Sequence, residues 1–438
     1  CDDSRNLDWK AKMKPEYDVA VIGAGIIGAA IAFRLSIEGQ KVLVLDRSAP
    51  GLGCSFGNAG MIAISEFVPL SSRETLLKAP AMLLQKNGPL SIDPLYLRHF
   101  LPWALRFTMA TRKSQFKAGI ACLSQLCADA NSDTQKLLSD AGISEHYIAN
   151  DCVRVFRTEA DYLKVLKSWD LRRQHGMKNT FLDRPELEKL FPALSPGQNF
   201  GAMIEGYHLL RDPLDVTQGL IAAANQNGST FLLGDVKDVT SLSKTCVRVE
   251  TADGAEYTAR NVVISAGAWS HFLTSKLGDK IPLETERGYH VEFKNPGLSF
   301  DRSIVSMEHS LAVSPMTNGL RCSSFVEFAG LKKPPNESRY DTIIKRAKAF
   351  FPTLNIKEYS VWMGHRPSLP DSLPVISASR HYPNIYYCFG HGHTGVALAA
   401  TSARLVSNMI DKTLDSKLID KLSADRFSSH KSASTIHP

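Results

Sequence analysis

The sequence predicts an α/β fold: a discontinuous Rossmann-like domain joined to a domain built from a mixed, largely antiparallel β-sheet plus helices. Three observations carry this. A strand, glycine turn, helix and second strand fill residues 17–46, YDVAVIGAGIIGAAIAFRLSIEGQKVLVLD. A second strand, glycine-rich turn and helix stand near the other end, NIYYCFGHGHTGVALAATSARLVSNMI, residues 384–410. Between them, residues 281–331 alternate polar and apolar positions, as antiparallel strands with one exposed face do.

The first unit has a physical job for each part. YDVAVI is a β-branched, apolar run of buried-strand character. Gly23, Gly25 and Gly28 follow at G-x-G-x-x-G spacing. Gly23 permits the tight turn, Gly25 lets the backbone approach a pyrophosphate, and Gly28 lets helix and strand pack closely. The helix of residues 26–38 presents free N–H groups and its positive dipole end through Ile26 and Ile27. Gly39 suits its C-terminus. KVLVL then ends on Asp46, an acid placed to accept from a ribose diol. The unit binds the ADP part of a dinucleotide; a mere packing turn does not explain Asp46.

Composition narrows the function classes. The chain has 438 residues, enough for two domains or one large interleaved one, and its 44% hydrophobic and 22% charged content is ordinary for a globular protein. A net charge of +7 without long Lys/Arg blocks argues against nucleic-acid binding, and suits anionic substrates or lipid. Eight scattered cysteines with no C-x-x-C pair read as reduced thiols, not a disulfide framework or zinc site, and no metal is expected. No apolar run of about 18 residues marks a transmembrane helix. Residues 1–16 are polar and lack a signal-peptide core, and Met13 is a candidate native start. The compartment expected is the cytoplasm.

In chain order, RSAPGLGCSFGNAGMIA (residues 47–63) is a small-residue loop that can press its backbone against a flat cofactor. Residues 72–200 read as mostly helical. Within them LYLRHFLPWALRFTMATRKSQFK, residues 95–117, is rich in aromatics and bases. It reads either as an amphipathic helix on a membrane surface or as a core-facing helix broken near Pro102. GAMIEGYHLL, residues 201–210, reads as a hairpin or strand, and Asp212, Pro213 and Asp215 start a helix over 216–227. Asp253-Gly254 turns a hairpin, and NVVISAGAWS, residues 261–270, rejoins the first sheet. A helix over 340–351 precedes VWMGHRPSLPDSLPVIS, read as a proline-rich loop. A last helix spans 394–410, and the serine-containing tail after Asp411 reads as loose. The segments 17–75, 206–275 and 360–412 are assigned to the nucleotide domain and 76–205 and 276–359 to a substrate domain, with 1–16 and 413–438 as tails.

GAGIIG with Asp46, SFGNAGMI, ISAGAWS, RGYH, GLRCSSFVEFAG, GHRPSLPDSLPVI and FGHGHTGVALA occur together and in this order. In this the sequence resembles the D-amino-acid oxidase and glycine oxidase superfamily of FAD-dependent oxidoreductases, and looks closest to the D-amino-acid dehydrogenase branch. The resemblance runs from about Tyr17 to Ile410. It implies FAD, with the ADP half on Gly23, Gly25, Ile26, Ile27, Gly28, Asp46 and Arg47. Ser55, Asn58, Ala59, Gly60 and Met61 would lie beside the flavin, Val236 at the adenine side, and Ala266 and Gly267 along the pyrophosphate. Gly392, His393, Thr394 and Gly395 would aim a helix N-terminus at the flavin pyrimidine edge, where negative charge develops on reduction.

The resemblance also places Arg366 as the arginine that holds a substrate carboxylate. Tyr289 is a candidate substrate contact or lid residue, or equally a packed aromatic. His393 touches substrate or flavin, or only supports its turn; His290 is open in the same way. His391 supports the turn through backbone contacts, and alternation aims His365, next to Arg366, away from the site. Glu327 holds Arg366 or faces the pocket, while Cys322 and Cys388 read as packing residues rather than covalent flavin links. The implied activity is oxidation of a D-amino acid or a proline-like substrate such as hydroxyproline, by hydride transfer from Cα. Electrons would pass to a quinone or another acceptor, at a membrane surface on one reading. The alternatives are an oxygen-using oxidase of N-methylated amino acids or 2-hydroxy acids, and an FAD-holding subunit of an electron-transfer complex. Oligomerisation is left open.

Overall fold

Five parallel strands form the centre of the first sheet. Their order is Thr230–Leu233, Val42–Asp46, Tyr17–Ile22, Glu256–Ile264 and Ile385–Phe389. The computed structural model describes residues 14–413 and 420–428. The expected return of residues 261–270 to the first sheet holds for their apolar start: Val262–Ile264 lies between Ala20–Ile22 and Ile385–Tyr387. Being covered on both sides, these strands are near-continuous apolar runs. The helices Ile26–Ile37, Pro213–Gln226 and Gly395–Ile410 pack together over one face. Small residues allow this closeness: Ala29, Ala30, Ala32, Ala223, Ala224, Ala399, Ala400 and Ala403 are all buried in one cluster. Gly28 packs so tightly that an added Cβ would lie 1.8 Å from the Gly23 carbonyl oxygen. On the other edge, Val236–Ser243 and Cys246–Thr251 add an antiparallel meander, with the turn at Gly254.

The second sheet has nine strands and is mostly antiparallel. Its main path runs Tyr359–Ser368, Glu284–Phe293, Gly319–Phe328, Leu311–Met316, Ile304–Ser306, Cys152–Phe156, Phe200–Ile204, Asn179–Leu182. The exposed face expected over 281–331 is absent. Nine of the ten residues of Glu284–Phe293 are buried. Tyr289, Val291 and Phe293 face the helix Glu337–Phe350 and cluster with Ile343, Ala347 and Phe350. The opposite face meets the loop after Asp46: Nδ1 of His290 is 3.1 Å from the Gly57 carbonyl, and Arg321 donates to the carbonyls of Phe56 and Asn58.

Other expectations are corrected. Residues 361–368 are not loop but part of the strand Tyr359–Ser368, whose sole ladder partner is Glu284–Phe293. Proline cannot donate to a ladder and is confined to edge strands such as this one. Residues 360–368, grouped by sequence with the nucleotide-binding segments, thus pair into the second sheet. The helix Leu97–Ala110 runs through Pro102 and ends at Thr111, not at the proline. Residues 201–210 are not a hairpin: Phe200–Ile204 belongs to the second sheet, while His208–Leu210 joins Met61–Ile62 and Tyr147–Ile148 in a small third sheet. Strands Leu90–Ile92, Tyr147–Ile148, Cys152–Phe156 and Asn179–Leu182 interrupt the region read as helical. Residues 420–428 are docked, not loose. Leu422 and Ala424 are buried, and Arg426 binds Asp371 and the carbonyls of Leu373 and Pro374. The remaining tail, residues 1–12 and Met13 fall outside the described residues.

Candidate active site

One cavity lies where the first sheet's C-terminal strand ends meet the second sheet. Gly23, Gly25, Ile26, Ile27, Asp46, Arg47, Ser55, Asn58, Val236, Ala266, Gly267, Gly392 and Gly395 all line it. Ligands in open α/β sheets bind at such strand ends. Gly23 holds φ +103°, and a side chain there would meet the Ser265 carbonyl oxygen at 2.5 Å. The Ser55 hydroxyl accepts from the Ile26 N–H at 2.9 Å and so acts as a remote cap for the helix Ile26–Ile37. Asp46 ties the unit together. One oxygen accepts from the Ala24 N–H at 2.7 Å, the other from Ser48 N and Oγ at 3.0 and 3.1 Å. A carboxylate offers about four lone-pair sites, so one remains for a ribose hydroxyl.

Six expected contacts are not cavity walls. Gly28 is the packing glycine. Ala59, Gly60 and Met61 turn into the third sheet, where Met61 pairs with Leu209 and the Gly60 N–H donates to Asn58 Oδ1 at 2.8 Å. Thr394 turns its hydroxyl onto the His391 carbonyl at 2.9 Å. His393 belongs to the neighbouring cluster around Arg366. Reading the sequence also missed several walls. Trp269 carries the Arg47 guanidinium 3.9 Å above its ring, and Lys237 and Lys276 add positive charge beside Val236. The expectation that His365 turns away from the site is corrected: alternation puts it on the other face from Arg366, and that face lines this cavity, with the His365 ring edge-on to Trp269. Burial, then Arg287 and Arg47, depress its pKa to about 4, so it is neutral.

The second sheet supplies the cluster beside this cavity. Glu286 and Arg366 are directly opposed across the pair Glu284–Phe293 and Tyr359–Ser368, as are Gly288 and Gly364, and His290 and Trp362. Opposed residues share a face. The Arg366 guanidinium lies over Gly288, whose added Cβ would be 2.2 Å from Nη2. Nη1 donates to the Phe325 carbonyl at 3.1 Å. Phe325, at φ +69°, lies where the pairing register of Gly319–Phe328 shifts. Among the described residues the guanidinium makes no other hydrogen bond, so most of its five N–H donors are free for a ligand.

His393 stands at the first turn before the helix Gly395–Ile410, and its Nδ1 is 3.6 Å from Glu286 Oε2. Burial and then Arg366 lower its pKa, while Glu286 opposes the shift. Cys54 lies close by; burial pushes its thiol up to about 11 against the pull of Arg366. His391 is buried with Nε2 2.9 Å from Ser402 Oγ, and burial alone takes its pKa to about 3; its carbonyl accepts from the Thr394 N–H at 3.0 Å within the turn, and the residue also lines the cavity. His290 is likewise neutral, stacked on Trp362 at 5.3 Å.

Tyr289 is not in this cluster. Odd positions of Glu284–Phe293 face the helix Glu337–Phe350, and Tyr289 is 1% exposed there. Its hydroxyl donates to Glu327 and accepts from the Asn336 N–H at 3.3 Å. Glu327 shares that face and so does not hold Arg366. Cys322 and Cys388 are buried.

The cavity fits FAD. Its glycine turn approaches backbone closely, a helix N-terminus opens onto it, Asp46 retains an acceptor, and a second helix start stands at Gly392–Gly395. A known family description, FAD dependent oxidoreductase, matches residues 18–409. The chain is 33% identical over 400 residues to a D-amino-acid oxidase of Bradyrhizobium diazoefficiens, covering 90% of this chain and 94% of that protein. It is 27% identical over 405 residues to D-amino acid dehydrogenase 2 of Mesorhizobium japonicum, covering 90% and 96%. Among solved structures, glycine oxidase from Geobacillus kaustophilus superposes with a TM-score of 0.71 at 19% identity, over 94% of this chain and 99% of that one. L-proline dehydrogenase from P. horikoshii gives 0.70 at 16%, over 95% and 98%. The chain belongs to the family of FAD-dependent oxidoreductases.

Proposed function

We propose that this protein oxidises the Cα–N bond of an amino acid, a D-amino acid or a proline-like one, through bound FAD. The observation that carries it is Arg366 lying over Gly288 with most of its donors free, next to the cofactor cavity. When bound, FAD supplies the two-electron acceptor for the Cα hydride. The chain supplies the rest. Arg366 takes the substrate carboxylate as a bidentate pair and fixes the direction of the Cα–H bond. The helix starting at Gly395 aims N–H groups at negative charge arising nearby. Gly23, Gly25, Ile26, Ile27, Asp46, Arg47, Val236 and Gly267 hold the cofactor's ADP half.

The test is anaerobic: holoenzyme is mixed with D- and L-amino acids, proline, hydroxyproline, N-methylated amino acids and 2-hydroxy acids, and flavin bleaching is followed. Amino acids are expected to bleach it. Bleaching by 2-hydroxy acids alone refutes the amine assignment.

For the electron acceptor we favour a quinone met at the inner face of a membrane over oxygen. On the helix Leu97–Ala110, Leu101, Leu105 and Met109 are exposed at helical spacing beside Arg98 and Arg106, and Leu95 is 89% exposed. Its other side is anchored, since Phe100 and Trp103 pack on Phe328 and Trp103 Nε1 donates to the Ser368 carbonyl. No helix of the described residues is long and apolar enough to cross a membrane. Peroxide formed as fast as turnover with artificial acceptors overturns this preference. So does failure to bind vesicles containing anionic lipid.

A further inference from the structure

The carboxylate of Glu286 has no part in the roles above, yet it is 4% exposed and shares a sheet face with Arg366. One oxygen is fixed: Ser368 Oγ donates to Oε1 at 2.6 Å. The other, Oε2, is buried without a hydrogen-bond partner and stands 3.6 Å from Nδ1 of His393. Glu286 and Arg366 do not close an ion pair, although they are register neighbours. A buried carboxylate oxygen left unpartnered is costly. Here it is aimed at an imidazole beside the arginine assigned to the substrate.

We propose that Glu286 and His393 form a proton-accepting dyad for the substrate ammonium. This rests on the amino-acid reading above. An amino acid arrives as R–CH(NH3+)–COO−, and a protonated nitrogen has no lone pair to support hydride loss from Cα. The Glu286 carboxylate, 3.6 Å from Nδ1, favours electrostatically the His393 tautomer with its proton on Nδ1, which leaves the Nε2 lone pair free. Nε2 takes one proton, an N–H bond of the substrate breaks and an N–H bond of His393 forms. The products are imidazolium and neutral amine, with no change of oxidation state. The imidazolium then faces the Glu286 carboxylate, and the separation closes to a charge-assisted hydrogen bond. Hydride leaves Cα only after this, giving R–C(=NH2+)–COO−. His393 is 39% exposed on its side chain, so the proton passes on to solvent.

The charged groups facing His393 act in both directions. Arg366 on Tyr359–Ser368 disfavours the imidazolium; Glu286 on Glu284–Phe293 and Glu66 in the loop before the helix Arg73–Leu84 favour it. Glu66 is already engaged by Arg154 and Arg172, which leaves Glu286 as the carboxylate free to respond.

The experiment is a histidine 15N NMR titration of holoenzyme, with His393 assigned through His393→Asn, alongside pH profiles of anaerobic flavin reduction. In Glu286→Gln the His393 pKa should fall by about one unit or more, since one unit is tenfold in the protonation equilibrium. The acid limb of the reduction rate should move down with it, while the plateau drops by about 10²-fold. Glu286→Asp keeps the charge and should recover part of both. An unmoved His393 titration overturns the proposal. A plateau drop without movement of the acid limb also overturns it, since that marks Glu286 as structural. Failure of the amino-acid reading looks different: His393 still responds to Glu286, but no amino acid bleaches wild-type flavin. That result overturns the base role and leaves only an ion pair.

Discussion

Replacing Gly288 with alanine separates function from folding at this site. The new Cβ would lie 2.2 Å from Arg366 Nη2 and 2.3 Å from Cζ, whereas ordinary contact begins at 3.4 Å. The guanidinium must therefore retreat by about 1.2 Å, and it can, because it is the free end of a long side chain. The backbone at 288 is not in the left-handed region, so alanine fits it, and a strand gains up to about 1 kcal/mol when glycine becomes alanine. Stability should stay within about 1 kcal/mol of the parent. Misplacing a positioning group by about 1 Å costs on the order of 10²-fold in rate, or about 2.7 kcal/mol. Stopped-flow flavin reduction should show kcat/KM down by about 10²-fold, with FAD content and Tm near those of the parent. If Gly288→Ala reduces flavin at the parent rate with the parent KM, Arg366 does not hold the substrate where the structure puts it.

Three further outcomes follow from the same geometry. Gly28→Ala forces a Cβ to 1.8 Å from the Gly23 carbonyl, and neither backbone can yield; the protein should lose at least about 1–3 kcal/mol and purify without flavin, read by denaturation and absorbance. Asp46→Ala removes the acceptor for the Ala24 N–H and for the ribose. A hydrogen bond to a charged group is worth about 1.5–3 kcal/mol, so the FAD Kd should rise by roughly 10- to 10²-fold, measured by fluorescence on reconstitution. Tyr289→Phe should keep kcat/KM within about twofold and lower stability by about 1–3 kcal/mol, because Glu327 and the Asn336 N–H lose their partner.

What the sequence makes legible is local. The Gly23 unit, its closing Asp46 and the Gly392 turn each declare themselves within about thirty residues, since phosphate binding needs glycine, helix start and acid at fixed offsets. The return of Asn261–Ile264 to the first sheet is legible too, because a central parallel strand is apolar throughout. What stays hidden is pairing register. Whether Tyr289 or Glu286 faces the substrate depends on Glu286 standing opposite Arg366, eighty residues along the chain. Alternation alone settles His365 against Arg366, because they are adjacent, and cannot settle Tyr289. Pro367 misleads for a related reason, as a proline-rich stretch reads as loop unless its edge position is known. Pro102 misleads in the other direction: the helix Leu97–Ala110 carries it without ending.

The strand Glu284–Phe293 shows why parity decides the chemistry. Its odd positions bury Arg287 and Tyr289: Arg287 donates to the carbonyls of Ala329, Gly330, Lys333 and Pro334, and Tyr289 to Glu327. Those bonds fix the loop after Phe328 and the helix beyond it, so that side is satisfied and inert. The even positions are left with Glu286 partly unpartnered, Gly288 without a side chain and His290 holding the Gly57 loop. An acid, a gap and a loop anchor in succession provide what the site needs: a charge, room for the Arg366 guanidinium, and a fixed wall. The same strand therefore stabilises the second sheet on one face and arranges the reacting groups on the other. A one-residue slip would exchange the two sets and abolish both.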